Sequence, residues 1–170
     1  MVQKAKRLFI AALFGSIIFV TRVFVPEPID KMLIVVDAVL LALSALFIKS
    51  VGATVVGAVG GALTGLLRPS LLPFSFFLIF LYGAMVDVFL FLFKVRASNE
   101  GVNRNRLMTA MAINTLLIGF ISYYTFTFFP LVTSNPALDM AVAFMGPVTG
   151  GVAGYAASYL WNRYLRNIIV

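Results

Sequence analysis

Apolar runs about as long as a bilayer is thick restrict what this chain can fold into more than any motif does. A helix needs about 20 apolar residues to cross the hydrocarbon core, within a range of about 17–25. Proline and charge cut the chain into six such stretches, at about 8–25, 32–48, 52–67, 71–93, 107–129 and 137–161. Pro26-Glu27-Pro28 stops the first, because proline removes a backbone donor and blocks continuation of the helix before it. Lys31 and Lys49 bracket the second, Arg68-Pro69 ends the third, the polar segment Lys94 to Arg106 separates the fourth from the fifth, and Pro130 ends the fifth. The expected fold is therefore an all-α integral membrane protein: one six-helix transmembrane bundle over residues 1–170. Lys4, Lys6 and Arg7 precede a run that continues to Val25 without a small-x-small cleavage pattern, so a retained first span is expected rather than a signal peptide.

Composition agrees with hydrocarbon as the solvent. Hydrophobic residues make up 62% of the chain and charged residues 11%, whereas soluble domains carry about a quarter charged residues. Cys and His are both absent, which excludes disulfides, thiolate or imidazole metal ligands, and the imidazole base of a Ser or Cys triad. There is no phosphate-cradling loop, dinucleotide fingerprint or metal cluster. No cofactor and no metal are expected, and a non-enzymatic role is favoured. An intramembrane enzyme built on Asp87 would lack a second catalytic group at matching depth. Without ATP chemistry of its own, uphill transport would draw on an ion gradient or on another subunit.

The net charge of +7 has a simpler explanation than nucleic acid. With connections alternating between two sides, Lys4, Lys6, Arg7, Lys49, Lys94, Arg96, Arg104, Arg106, Arg163 and Arg166 fall on one side, and Arg22, Lys31 and Arg68 on the other. The positive-inside rule makes the first side cytoplasmic, so both termini are expected to face the cytoplasm of a cell membrane. Trp161 and Tyr164 then fall near the inner interface, where amphipathic rings are favoured.

Ionisable residues inside such spans cost at least a few kcal/mol each unless paired or hydrated, which makes them the strongest functional signal available. Asp37 lies roughly 9 Å inside Lys31, and Asp87 about 10 Å from Lys94, at 1.5 Å of rise per residue. Asp37 reads as a ligand contact or as an ion pair with Arg22. Asp87 reads as a hydrogen-bonded node with Asn114 or Thr54, or else as a ligand contact or coupling element. Arg22, Glu27 and Asp30 around the first outer connection, Tyr82, Tyr123 and Tyr124, and Asp139 and Thr149 complete a set of aromatic faces with a few polar anchors. Such a set suits a small flat ligand, because stacking supplies area and the anchors set orientation. Tyr123 and Tyr124 cannot both face inward, since adjacent helical residues point about 100° apart.

Two glycine ridges, Gly57-x3-Gly61-x3-Gly65 and Gly146-x3-Gly150-x3-Gly154, allow close helix contact, because packing rather than water expulsion drives association in lipid. They are expected to be internal contacts, with docking of a partner membrane protein as the other reading. Ala11-x3-Gly15 and Ala12-x3-Ser16 are a shorter version in the first helix.

The whole-chain layout, the strip Ala11, Ala12, Gly15 and Ser16, the segment KSVGATVVGAVGGALTGLL and the segment YGAMVDVFLFLFK together resemble the substrate-binding S components of energy-coupling factor (ECF) transporters. Within that family the segments are similar to the branch handling thiamin or its hydroxymethylpyrimidine precursor, where an acidic residue commonly occurs near the position of Asp87. The family's first-helix Ala-x3-Ala is only partly matched, since Gly15 and Ser16 stand second. The resemblance implies a vitamin as ligand, a transmembrane coupling subunit docked on the first-helix strip, and two cytoplasmic ATPases. It also places the substrate in the outer half, among helices four to six. On these terms Arg22, Glu27, Asp37, Tyr82, Asp87, Asn114, Tyr123, Tyr124 and Thr149 are the substrate-binding candidates. The alternative is a six-span envelope scaffold or assembly protein that binds other membrane proteins.

Overall fold

The computed structural model describes residues 2–25, 33–48, 51–67, 74–98, 101–129 and 135–166, leaving aside the side chains of residues 2–4 and 6. Glu27, Asp30, Lys31, Lys49 and Arg68 lie outside the described residues. Among the described residues the fold is all-α, with six helices: α1 (Val2–Val23), α2 (Ile34–Ile48), α3 (Gly52–Leu67), α4 (Phe74–Leu92), α5 (Arg104–Phe128) and α6 (Pro136–Leu160). A π-helical turn, Trp161–Leu165, continues α6. Helices α4 and α5, and α6 with its π turn, are long and apolar enough to cross a membrane, while α2 and α3 are apolar but shorter.

Helix starts are set by caps and not by where the apolar run begins. The Asn103 side chain accepts from the Arg106 N–H at 3.2 Å, so α5 begins at Arg104, ahead of its first apolar residue. The Asn135 side chain accepts from the Ala137 N–H at 2.9 Å, with Pro136 in the first turn, where its missing donor costs nothing. Past Leu92, Lys94 adopts φ 51°, and the Val95 N–H bonds the Leu90 carbonyl while the Lys94 N–H bonds that of Phe91. These are the two bonds of a Schellman close, here with Lys in the left-handed position usually taken by Gly.

Helix α2 is the axis of the bundle. Asp37, Ala38, Leu41–Leu46 and Ile48 are all buried, and α2 packs against each of the other five helices. That explains its lack of an apolar stripe, since a helix apolar all round is one enclosed on all sides. Around it, α5 packs on α6, α3 on α4 and α1 on α3.

Glycine makes these pairings close. A Cβ at Gly57 would stand 2.7 Å from the Ile79 carbonyl oxygen of α4, and one at Gly61 would stand 3.0 Å from that of Phe76. On α6, a Cβ at Gly146 would meet the Leu116 Cα at 2.9 Å, and one at Gly154 the Met108 Cα at 2.7 Å. Both ridges are therefore internal contacts between backbones, and Gly60 turns a second face of α3 to Gly15 of α1. Trp161 departs from its expected interfacial place: it is only 2% exposed and packs edge-on to Phe47 of α2 at 5.1 Å. The π turn carries it inward, whereas Tyr164 remains exposed.

Candidate functional site

Two acids and one amide define the polar interior. Arg22, in the last turn of α1, donates from Nε to Asp37 Oδ2 at 2.7 Å, and the Thr21 hydroxyl donates to Oδ1 at 2.9 Å. Asp37 stands in the first turn of α2 and is 2% exposed. A carboxylate at a helix N-terminus is favoured by the helix dipole, and here both oxygens also have side-chain donors. Of the two sequence readings for Asp37, the geometry supplies the ion pair.

Asp87 is used differently. From α4 its carboxylate reaches the start of α3, where Oδ1 accepts the Ala53 N–H at 3.2 Å and Oδ2 accepts the Thr54 N–H at 2.7 Å. The Thr54 hydroxyl adds a bond of 2.6 Å to the same oxygen. The first N–H groups of a helix have no partners within it, and α3 has these two met by a side chain from the neighbouring helix. Gly83, one turn before Asp87, makes this reach short: a Cβ there would overlap the Ala53 carbonyl. Thr54, and not Asn114, is the partner.

Asn114 is left with nothing. It is 0% exposed in the middle of α5, and among the described residues neither its amide nitrogen nor its amide oxygen has a hydrogen-bond partner. Beside it in sequence, Thr115 shares a 3.2 Å hydrogen bond with the hydroxyl of Tyr82, which is also buried. The interior thus holds two polar pairs across helices, Arg22–Asp37 between α1 and α2 and Tyr82–Thr115 between α4 and α5. Thr115 was not among the sequence candidates. Its signal was its place beside Asn114 in an apolar helix.

The remaining candidates fall elsewhere. The Tyr123 hydroxyl accepts the Asn135 N–H at 3.0 Å, tying α5 to the start of α6, while its neighbour Tyr124 is 57% exposed. The two rings meet edge to face, with centroids 5.3 Å apart, one half-buried and the other exposed. The Thr149 hydroxyl is bonded to carbonyls of its own helix, at Met145 and Gly146, just before Pro147. Glu27 lies outside the described residues. Of the first-helix strip, Ala11 and Gly15 are buried, and a Cβ on Gly15 would stand 2.9 Å from the Val59 Cβ of α3, whereas Ala12 and Ser16 are exposed.

Comparison with protein-family models, curated proteins and solved structures finds no match to this chain. The class defined by the fold itself is an all-α bundle with, among the described residues, three helices long and apolar enough to cross a membrane.

Proposed function

We propose that this chain is a six-span integral protein of the cell membrane, with both termini cytoplasmic, that captures substrate for a vitamin uptake transporter. The ligand is thiamin or a related pyrimidine, and the partners are a transmembrane coupling subunit and two cytoplasmic ATPases. One observation carries the solute-capture reading: Asn114 holds a donor and an acceptor side by side in the interior, and among the described residues no group meets either. An unsatisfied buried amide costs about 1–3 kcal/mol, which a bound polar ligand would offset. A carboxamide matches the edge of a planar nitrogen heterocycle, where an amino group and a ring nitrogen present the complementary pair. The residue after Asn114 on the same helix, Thr115, is hydrogen-bonded to the buried Tyr82 hydroxyl at 3.2 Å.

The bilayer reading is supported by the surface. Phe91 and Phe128 are about four-fifths exposed, at 80% and 81%, and Phe9, Leu66 and Phe144 are also bare. Apolar patches of this extent on a soluble monomer would be aggregation sites. Docking of the coupling subunit falls to Ala12 and Ser16, the exposed half of the strip, with Ala11 and Gly15 fixing α1 to α3 behind it. A scaffold binding partners through its glycine ridges is disfavoured, because both ridges are occupied within the chain.

Thermal unfolding of the purified protein against a vitamin panel tests the reading. A ligand at about 100 times its Kd adds roughly 2.7 kcal/mol of stability. No shift with any vitamin, together with no co-purifying ATPase, would exclude it. Topology is tested separately by single cysteines at Asn99 and Asn135, since the chain has none of its own. Asn99 is expected to be shielded from an impermeant reagent in intact cells, and Asn135 to be labelled.

A further inference from the structure

At the end of the bundle where α5 begins and α6 ends lies a cleft of about 330 Å³, lined by Arg104, Tyr155, Ser158, Tyr159, Asn162 and Arg163. Its polar groups divide into those already engaged and those left over. The Ser158 hydroxyl bonds the Tyr155 carbonyl, and the Asn162 amide bonds both the N–H and the carbonyl of Val102, at 2.7 and 3.1 Å. Among the described residues the two guanidinium groups meet aromatic side chains. Arg104 lies over the Tyr155 ring at 4.2 Å, and Arg163 donates to the Tyr159 hydroxyl at 2.6 Å while also lying near the Tyr164 ring. Among the described residues neither arginine meets a carboxylate. Asp37 and Asp87 are engaged elsewhere, and Asp139 is in the first turn of α6, at its opposite end.

Two arginines lining one cleft present two positive charges to an anion. Arginine's planar fork suits phosphate, and stacking on tyrosine holds it in place at little entropic cost. The surface leading away from the cleft is apolar. Phe144, Val148, Val152, Tyr155 and Tyr159 are all exposed and follow one another at spacings of three or four along α6. That stripe covers about 22 Å of helix, more than the roughly 15 Å hydrocarbon depth of one leaflet. A free phosphate would use the arginines and leave the stripe bare, whereas a phospholipid would use both.

We propose that Arg104 and Arg163 clamp the phosphate of an anionic phospholipid whose acyl chain lies along the Phe144–Tyr159 stripe of α6. The lipid links the start of α5 to the end of α6 at the point where Asn162 already holds the connection between α4 and α5. The inference rests on the bilayer reading above and is independent of solute capture.

Native mass spectrometry of the protein released from a neutral detergent provides the test, with dioleoylphosphatidylglycerol and dioleoylphosphatidylcholine supplied in equal amounts. The wild type should retain one phosphatidylglycerol in preference to phosphatidylcholine. Arg104→Gln with Arg163→Gln should reduce that retention about tenfold or more, given the attraction of each basic residue to anionic lipid. Arg106→Gln, exposed at the same end but outside the cleft, should leave it unchanged. Should the double variant fail to fold, Tyr155→Leu keeps both charges and the apolar contact but removes the ring beneath Arg104, and should lower the preference severalfold. Equal retention of the two lipids, an equal loss with Arg106→Gln, or displacement of the lipid by inorganic phosphate at the same concentration would overturn the proposal. A protein that stays monodisperse without detergent would instead remove the bilayer reading itself.

Discussion

The Asp87 carboxylate accepts both the hydroxyl and the backbone N–H of Thr54, at 2.6 and 2.7 Å, so a side chain of α4 caps the first turn of α3. This couples the position of one helix to the integrity of its neighbour. Asp87→Ala should cost about 1–3 kcal/mol by leaving buried donors unmet, and Thr54→Val should cost less because both N–H bonds persist. Thermal unfolding in detergent gives the totals. Hydrogen exchange at Ala53 and Thr54 localises the effect, and unchanged protection there in Asp87→Ala would rule out the cap.

The Arg22–Asp37 pair should behave as one unit. Removing the cation alone, by Arg22→Met, leaves Asp37 buried with only Thr21 to answer it and should cost about 3–5 kcal/mol. Adding Asp37→Asn should recover much of that loss, because no uncompensated charge then remains. A double-mutant cycle by thermal unfolding measures the coupling, and additive single effects would show that the pair contributes nothing.

Neighbouring glycines on α6 should respond oppositely to alanine. A Cβ at Gly150 would fall among the Met111 carbonyl, Thr115 Oγ1 and Ala112 Cα of α5, whereas one at Gly151 meets nothing within 4 Å. Gly150→Ala should destabilise by about 1–3 kcal/mol through overpacking. Gly151→Ala should be neutral or stabilise by up to about 1 kcal/mol, because glycine is a poor helix former. Equal effects in the same unfolding assay would mean that α5 and α6 are less closely packed than described.

Asn114 offers a substitution in which stability and binding part ways. Asn114→Ala removes an amide without a partner, so the ligand-free protein should be unchanged or more stable by about 1 kcal/mol. The same change should abolish the thermal shift given by the cognate vitamin. A loss of ligand-free stability with the shift retained would assign Asn114 a structural role.

Much of the fold was legible because it depends on local quantities. Apolar runs between Pro26, Lys49, Arg68, Lys94 and Pro130 marked six helices, and the observed α3 spans the same residues, 52–67, that punctuation gave. Boundaries slipped where caps outweighed hydropathy, as at Asn103, which starts α5 at a charged residue. The aligned glycines announced backbone contact in the same way, since spacing along one helix places them on one face.

Pairing across helices was legible only as alternatives. Asp37 offered Arg22 or a ligand, and Asp87 offered Thr54, Asn114 or a ligand; the structure gives Asp37 to Arg22 and Asp87 to Thr54 at the start of α3. Trp161 and Tyr164 looked like similar interfacial rings, yet the π turn buries the first against Phe47 and leaves the second exposed. By itself the sequence determined roughly where the described helices run and which faces can approach closely, because propensity, capping and apolar length act within a few residues. Only the tertiary structure decided which polar groups find partners and which, like Asn114, do not, because those distances depend on how helices remote in the chain lie against one another.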